Sequence, residues 1–265
     1  MQSISRQVVL IRRHSALLSL TLGLLGGLAD RPAHATILLF DQQRDAATGT
    51  VVSAASSGGR LPSDYGDHAV GATTAVPGGF FTYGDGGEGF TPDIVVDIFS
   101  AAATPTDPRV SLWQNDFGDL VNVIFGEGPG TGGADSLSIL FSAAPGYQVD
   151  LYGFELAGWS RADYTIAAVE VFAGPSTLFS QSDVLVEGNA SGPGHTTFAF
   201  DVPLSAPEIL LRLDLSNLAG SVQDNIGLDS VRFGQTPPPV PEPGTATLLF
   251  GGLVLLASAR SNRSR

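Results

Sequence analysis

Cysteine is absent from all 265 residues, so no disulfide staples the chain and thiol chemistry of any kind is closed to it. Lysine is absent too, and 13 arginines stand against 26 acidic residues. Between residues 36 and 236 the imbalance sharpens to six arginines and 24 acids, a net charge of −18. Such a body lacks the cations that neutralise phosphates, which excludes nucleic acid as a partner. Histidine is scarce: beyond the first 35 residues only His68 and His195 occur. Neither belongs to an H-E-x-x-H metal site, and no G-x-S-x-G nucleophile elbow is present. Long apolar runs are also missing. The longest candidate, residues 245–259, has 15 uncharged residues; as a helix it reaches about 22 Å, short of the ~30 Å hydrocarbon core of a bilayer.

Both ends of the chain read as targeting segments. Arg6, Arg12 and Arg13 precede the charge-free stretch 16–28, and Ala33-His34-Ala35 forms an A-x-A cleavage site at Ala33 and Ala35, the layout of a secretory leader. The mature chain is expected to begin near Thr36. The Arg12-Arg13 pair raises a twin-arginine export route, although His14-Ser15-Ala16 follows it instead of the Phe-Leu-Lys pattern that route expects. At the other end, Val240-Pro241-Glu242-Pro243 leads into the apolar run and then into Arg260, Arg263 and Arg265. The two prolines keep the preceding backbone extended, so the helix must start after them and leave the tripeptide accessible. The terminal arginines favour the cytoplasmic side, putting the body outside.

This tail resembles the PEP-CTERM sorting signal of Gram-negative bacteria. The resemblance implies a transient stay in the inner membrane and recognition of Pro241, Glu242 and Pro243 by exosortase, which removes the short transmembrane helix. It implies release or attachment at the cell surface, in an exopolysaccharide or biofilm-matrix setting. Three segments result: a signal peptide at 1–35, a body at 36–236, and a linker with sorting signal at 237–265, the proline-rich QTPPPV (235–240) spacing the body from the membrane.

The body is expected to be all-β, a jelly-roll-like β-sandwich. Short apolar segments recur between Gly, Pro, Asp and Ser, and no window outside the termini has a helical period. Strands are expected at 37–40, 50–53, 80–83, 93–99, 110–114, 121–125, 136–142, 147–156, 164–172, 177–181, 184–187, 196–202, 209–215 and 226–233. Leu137, Ile139 and Phe141 share one face, as do Ile166, Ala168 and Glu170, and Phe198, Phe200 and Val202. In the last strand Ile226 and Leu228 have one parity and Val231 and Phe233 the other, so burying both pairs needs a bulge near Asp229-Ser230.

DNIGLDSVRF (224–233) is similar to the closing strand of jelly-roll modules, carbohydrate-binding and MAM-like sandwiches among them. That resemblance implies a structural calcium held by Asp229 and Asp41, with Asp224 nearby. Asp85 and Glu88 on the glycine-rich loop 83–93 are further candidate ligands, since calcium takes carboxylate and carbonyl oxygens. The G-x-G-x-x-G spacings at Gly84 and at Gly128 precede no helical pattern and do not read as nucleotide sites. For ligand binding, Trp159, Trp113 and Tyr83, with Tyr147 and Tyr152, could form a sugar-stacking platform. The expected function is that of an exported, non-enzymatic surface or matrix protein. One alternative is a carbohydrate-binding module acting on exopolysaccharide, and another an extracellular hydrolase with a carboxylate pair among the many acids.

If the acidic clusters hold calcium, thermal unfolding of residues 36–236 should shift upward with excess calcium relative to chelator. A ligand bound only by the folded state at about 100 times its Kd stabilises by about 2.7 kcal/mol. An unchanged midpoint removes calcium from the account.

Overall fold

The structure is a computed structural model that describes residues 34–40, 43–44, 51–53, 59–61, 65–70, 89–129, 132–189, 191–192, 194–220 and 222–237. The signal peptide up to Ala33, the sorting motif at Val240, Pro241, Glu242 and Pro243, and the candidate residues Asp41, Tyr83, Asp85 and Glu88 lie outside the described residues. Among the described residues no helix is long and apolar enough to cross a membrane.

Among the described residues sixteen strands run in order: β1 (His34–Leu38), β2 (Gln43–Arg44), β3 (Val51–Ser53), β4 (Gly59–Arg60), β5 (Ala69–Val70), β6 (Phe90–Thr91), β7 (Ile94–Ser100), β8 (Val110–Trp113), β9 (Val123–Gly126), β10 (Ser136–Ala143), β11 (Gln148–Gly158), β12 (Tyr164–Ala173), β13 (Ser176–Val186), β14 (Thr196–Ala206), β15 (Glu208–Asp214) and β16 (Ile226–Thr236). A 3-10 turn, Gln223–Asn225, immediately precedes β16. Two antiparallel sheets make a β-sandwich. One has the order β14-β11-β16-β9-β8-β4, with β1 also on β16; the other is β13-β12-β15-β10-β7. β2 pairs with β3 and β5 with β6 as small ribbons.

The inner faces meet in one core. Val96, Ile98, Ile139, Phe141, Leu211 and Leu213 from the second sheet are buried with Leu151, Phe154, Leu228, Val231 and Phe233 from the first. Phe141 and Phe233 touch across the layers with ring centroids 4.8 Å apart, and Phe154 stacks on Phe198 at 4.8 Å. Leu137, Ile139 and Phe141 share the buried face as their alternation requires.

β16 organises the first sheet. Along one side it pairs with β11 from Gln148↔Thr236 to Gly158↔Ile226. Its other side is divided, with β9 meeting it at Leu228↔Ile124 and β1 running from Leu38↔Val231 to His34↔Gln235. The parity change read from the sequence is resolved as expected: Ser230 adopts φ 51°, and the register with β11 slips by one residue between Arg232 and Asp229. Ile226, Leu228, Val231 and Phe233 are all buried in consequence. The Asp229 carboxylate accepts the Ser230 N–H at 2.6 Å, securing the bulge. β11 carries a matching slip between Leu151 and Gly153, so Val149 and Leu151 reach the core from one side of it and Phe154 and Leu156 from the other.

Four sequence expectations need correction. The segments 177–181 and 184–187 are one strand, β13. Ile166, Ala168 and Glu170 do not share the buried face: Ile166 is buried, but further on Val169 and Val171 are, the alternation changing phase where Asp183 on the partner strand takes φ 50°. Val202 is 78% exposed, because β14 bulges between Ala199 and Leu204. Gln235 belongs to β16 and not to the linker. It is buried, accepting the Asp93 N–H at 2.8 Å and donating to the Asp93 carboxylate at 2.9 Å.

Phe233→Ala should cost about 3–5 kcal/mol in urea unfolding, the usual loss for a buried phenylalanine. Val202→Ser, on an exposed bulge, should stay within about 0.5 kcal/mol of wild type.

Candidate functional site

At the Ile226 end of β16 the first sheet is apolar on both faces. Leu112 and Ile124 point into the main core, while their neighbours Val123 and Phe125, with Ala157, form a second cluster with Phe117 and Leu120, against which Trp113 packs. The sequence signal is the unbroken run VIFG (123–126): a half-exposed strand alternates, whereas one covered on both faces reads as continuously apolar. The cover is the segment 114–122, which turns back over the sheet. Gly227 permits the close fit, since a Cβ there would lie 2.6 Å from Val123 Cγ2 and 2.7 Å from Phe117 Cδ1.

The cover is incomplete. It leaves a pocket of about 140 Å³ lined by Trp113, Phe117, Phe125, Trp159, Asp224 and Asn225. Trp113 and Trp159 meet edge-to-face, centroids 6.2 Å apart and planes at 85°, and Trp113 meets Phe125 in the same manner at 6.3 Å. Trp159 follows Gly158, the last residue of β11, and its N–H donates to the Asn225 carbonyl at 2.8 Å. Asn225 Nδ2 donates to the Tyr164 hydroxyl at 2.9 Å, and Gln223 Nε2 donates to Asp135 at 2.6 Å. The 3-10 turn is thereby tied down on both sides of Asp224. Gly133 packs directly against it: a Cβ there would collide with the Asp224 amide.

The pocket keeps polar groups unpaired. Four buried side-chain polar atoms lack a hydrogen bond among the described residues, and two of them, Trp113 Nε1 and Asp224 Oδ1, belong to pocket residues. A third, Asn122 Oδ1, is on the covering segment, and the fourth, Arg109 Nε, has the Asp107 carboxylate at 2.9 Å. Native structures leave few such groups. Burial pushes the Asp224 carboxyl up from its ordinary value; its own backbone N–H opposes the rise and the Glu127 charge adds to it. Glu127 is itself committed, accepting from Ser111 Oγ at 2.5 Å and pairing with Arg60. Backbone strain gathers here as well. Asp116, Asn122, Ser160 and Arg161 all have positive φ, a conformation that costs non-glycine residues on the order of 1–2 kcal/mol each.

Trp113, Trp159 and Asp224, expected in two different sites, are thus brought together. Asp224 and Asp229 are not: three residues of β16 separate Asp229 from the turn, on the order of 10 Å, and the Asp229 carboxylate serves the bulge. No group of three His, Asp or Glu side chains converges among the described residues. Of the aromatics expected to share a platform, Trp113 and Trp159 meet, while Tyr147 stands apart from them. Tyr147 lies just before β11 and Trp159 just after it, on the order of 35 Å apart along the strand. His195 Nδ1 lies 2.7 Å from Asp119 Oδ1 and His68 Nδ1 lies 2.7 Å from the Pro92 carbonyl. Among the described residues no serine hydroxyl bonds either ring.

Because the Asp224 pKa is raised by folding, its ionised form opposes folding. The penalty is absent below the unfolded value of 3.8, grows as pH rises through the folded pKa, and is complete above it. Asp224→Asn should therefore raise the melting midpoint at pH 7 and leave it nearly unchanged at pH 3, as followed by circular dichroism.

No protein-family model and no curated protein matches the sequence. Among solved structures the chain is similar to one titled "Structure of a family 35 carbohydrate binding module from an environmental isolate", at 18% identity, covering 54% of this chain and 98% of that one, with a TM-score of 0.27. A superposition that loose says nothing about the ligand of this chain.

Proposed function

We propose that this chain is an exported, non-catalytic surface module of jelly-roll type that docks on extracellular polysaccharide through the Trp113–Trp159 pocket. The supporting observation is the pocket itself: two indoles set edge-to-face, that of Trp159 partly exposed, beside the polar residues Asp224 and Asn225. Sugars present apolar C–H faces and hydroxyls that both donate and accept, and aromatic rings with a few polar groups are how proteins hold such ligands. Hydrolysis of a glycosidic bond calls for two carboxyl groups flanking it, about 5–9.5 Å apart. Among the described lining residues only Asp224 offers one.

Routing belongs to the same proposal. A leader ending at Ala35 exports the chain, and exosortase recognises Pro241-Glu242-Pro243 after the short apolar segment has held the precursor in the inner membrane. The run of β16 supports a workable geometry. The pocket adjoins Ile226, whereas the chain leaves the sandwich after Thr236, about 33 Å further along the strand. Thr36, where the mature chain would begin, pairs with Phe233 toward that same far end. A body tethered through residues 237–265 would hold its pocket away from the membrane.

Trp159→Ala should weaken retardation in affinity electrophoresis through polysaccharide gels by tenfold or more, since truncating an aromatic anchor commonly costs about 2 kcal/mol. Wild-type protein that ignores every polysaccharide would leave a matrix role without sugar recognition; release of reducing ends would establish a hydrolase instead.

A further inference from the structure

Resting on the proposed export and not on the pocket, we infer that Asn189 is an acceptor for N-linked glycosylation, taking an oligosaccharide from a polyprenyl-diphosphate donor outside the cytoplasm. Asn189-Ala190-Ser191 fits N-x-[ST] with a residue other than proline in the middle, the pattern of an acceptor on a surface loop of an exported chain. The structure gives that pattern the setting it needs. Residues 187–195 join β13 to β14, an edge strand of each sheet. Both feet of the connection are fastened: the Asp163 carboxylate accepts the N–H groups of Gly188 and Asn189 at 2.9 and 3.1 Å, and His195 Nδ1 lies 2.7 Å from Asp119 Oδ1. Between the feet Asn189, Ser191 and Gly192 are exposed. A Cβ on Gly192 would meet nothing within 4 Å, so a bulky group has room beside the acceptor.

The acceptor side chain is also oriented for the transfer. Asn189 Oδ1 accepts the Ser191 N–H at 2.9 Å, whereas Nδ2 makes no hydrogen bond among the described residues. In the reaction Nδ2 attacks the anomeric carbon of the donor sugar. The bond from that carbon to the diphosphate oxygen breaks, the diphosphate leaves with the electron pair, and the amide gives one proton to a base of the transferase. The hydrogen bond at Oδ1 stabilises the charge that gathers there as the proton departs. The Glu187 carboxylate, two residues ahead, is likewise without a partner among the described residues and offers an arginine of the transferase a charge-assisted contact. A second N-x-S, Asn262-Arg263-Ser264, has Arg260 in the place of Glu187 and follows the apolar run. The proposed routing leaves it on the cytoplasmic side, where it should stay bare.

With no lysine in the chain, trypsin releases residues 162–212 as one peptide, and its single asparagine is Asn189. The full chain is co-expressed in a Gram-negative host with a lipid-linked oligosaccharide of known mass and an oligosaccharyl transferase, and residues 36–265 behind the host's own leader are made in parallel. The expected result by mass spectrometry is a gain of one oligosaccharide per chain, carried by peptide 162–212. Asn189→Gln and Ser191→Ala should each abolish the gain, Ser191→Thr should keep it, and Glu187→Gln should lower the modified fraction. An unmodified peptide from the chain exported behind the host's leader overturns the inference and leaves the proposed function standing. A gain that survives Asn189→Gln also overturns it, since the sugar is then attached elsewhere. A full chain that keeps residues 1–35, beside a glycosylated chain from the host's leader, overturns the proposed routing and leaves Asn189 as the acceptor.

Discussion

One strand has to bury its side chains in a single core although its apolar residues change parity halfway along. β16 meets that demand at Ser230, whose left-handed backbone shifts the register by one residue and turns Val231 and Phe233 to the side already occupied by Ile226 and Leu228. The Asp229 carboxylate holds the irregularity in place. β11 makes the matching adjustment around Tyr152, so the two central strands change phase together and remain paired over their whole length. Phe141, Phe233, Phe154 and Phe198 can pack between the layers only because both slips occur.

The same strand divides the body into two ends with different tasks. Toward Thr236 it is stapled by β1 and by the reciprocal hydrogen bonds of Gln235 with Asp93, which makes a firm junction where the chain leaves the sandwich. Toward Ile226 the outer face of the sheet is apolar and must be roofed by its own loop. A roof made of a nine-residue segment with strained backbone at Asp116 and Asn122 cannot close fully over Trp113 and Phe125, and the gap is the pocket. Orphaned polar atoms in a well-paired sheet protein are costly to maintain. An exposed indole and strained backbone meet at the same corner.

Lack of thiols and shortage of histidine narrow the chemistry, and nothing in the fold reverses that. The carboxylates, abundant as they are, mostly find local work: Asp107 and Glu127 with Arg60, Glu155 with Arg232, Asp163 with the amides of Gly188 and Asn189. Asp224 stands apart because burial leaves one of its oxygens without a partner among the described residues. A body so acidic is better suited to neutral, hydroxyl-rich surfaces than to anionic ones.

The sequence alone determined the strand content, most strand positions, the alternation of Leu137, Ile139 and Phe141, and the need for a bulge at Asp229-Ser230, because period-2 patterning and its breaks are local properties of the chain. It also marked Trp113, Trp159 and Asp224 one by one. It could not show that they share a pocket, nor that Asp229 is spent on a bulge, nor that Val202 faces solvent. Those outcomes depend on which strands become neighbours, on compensating slips in partner strands, and on which loop folds back over the outer face. Such contacts join residues far apart in the chain, and only the tertiary structure decided them.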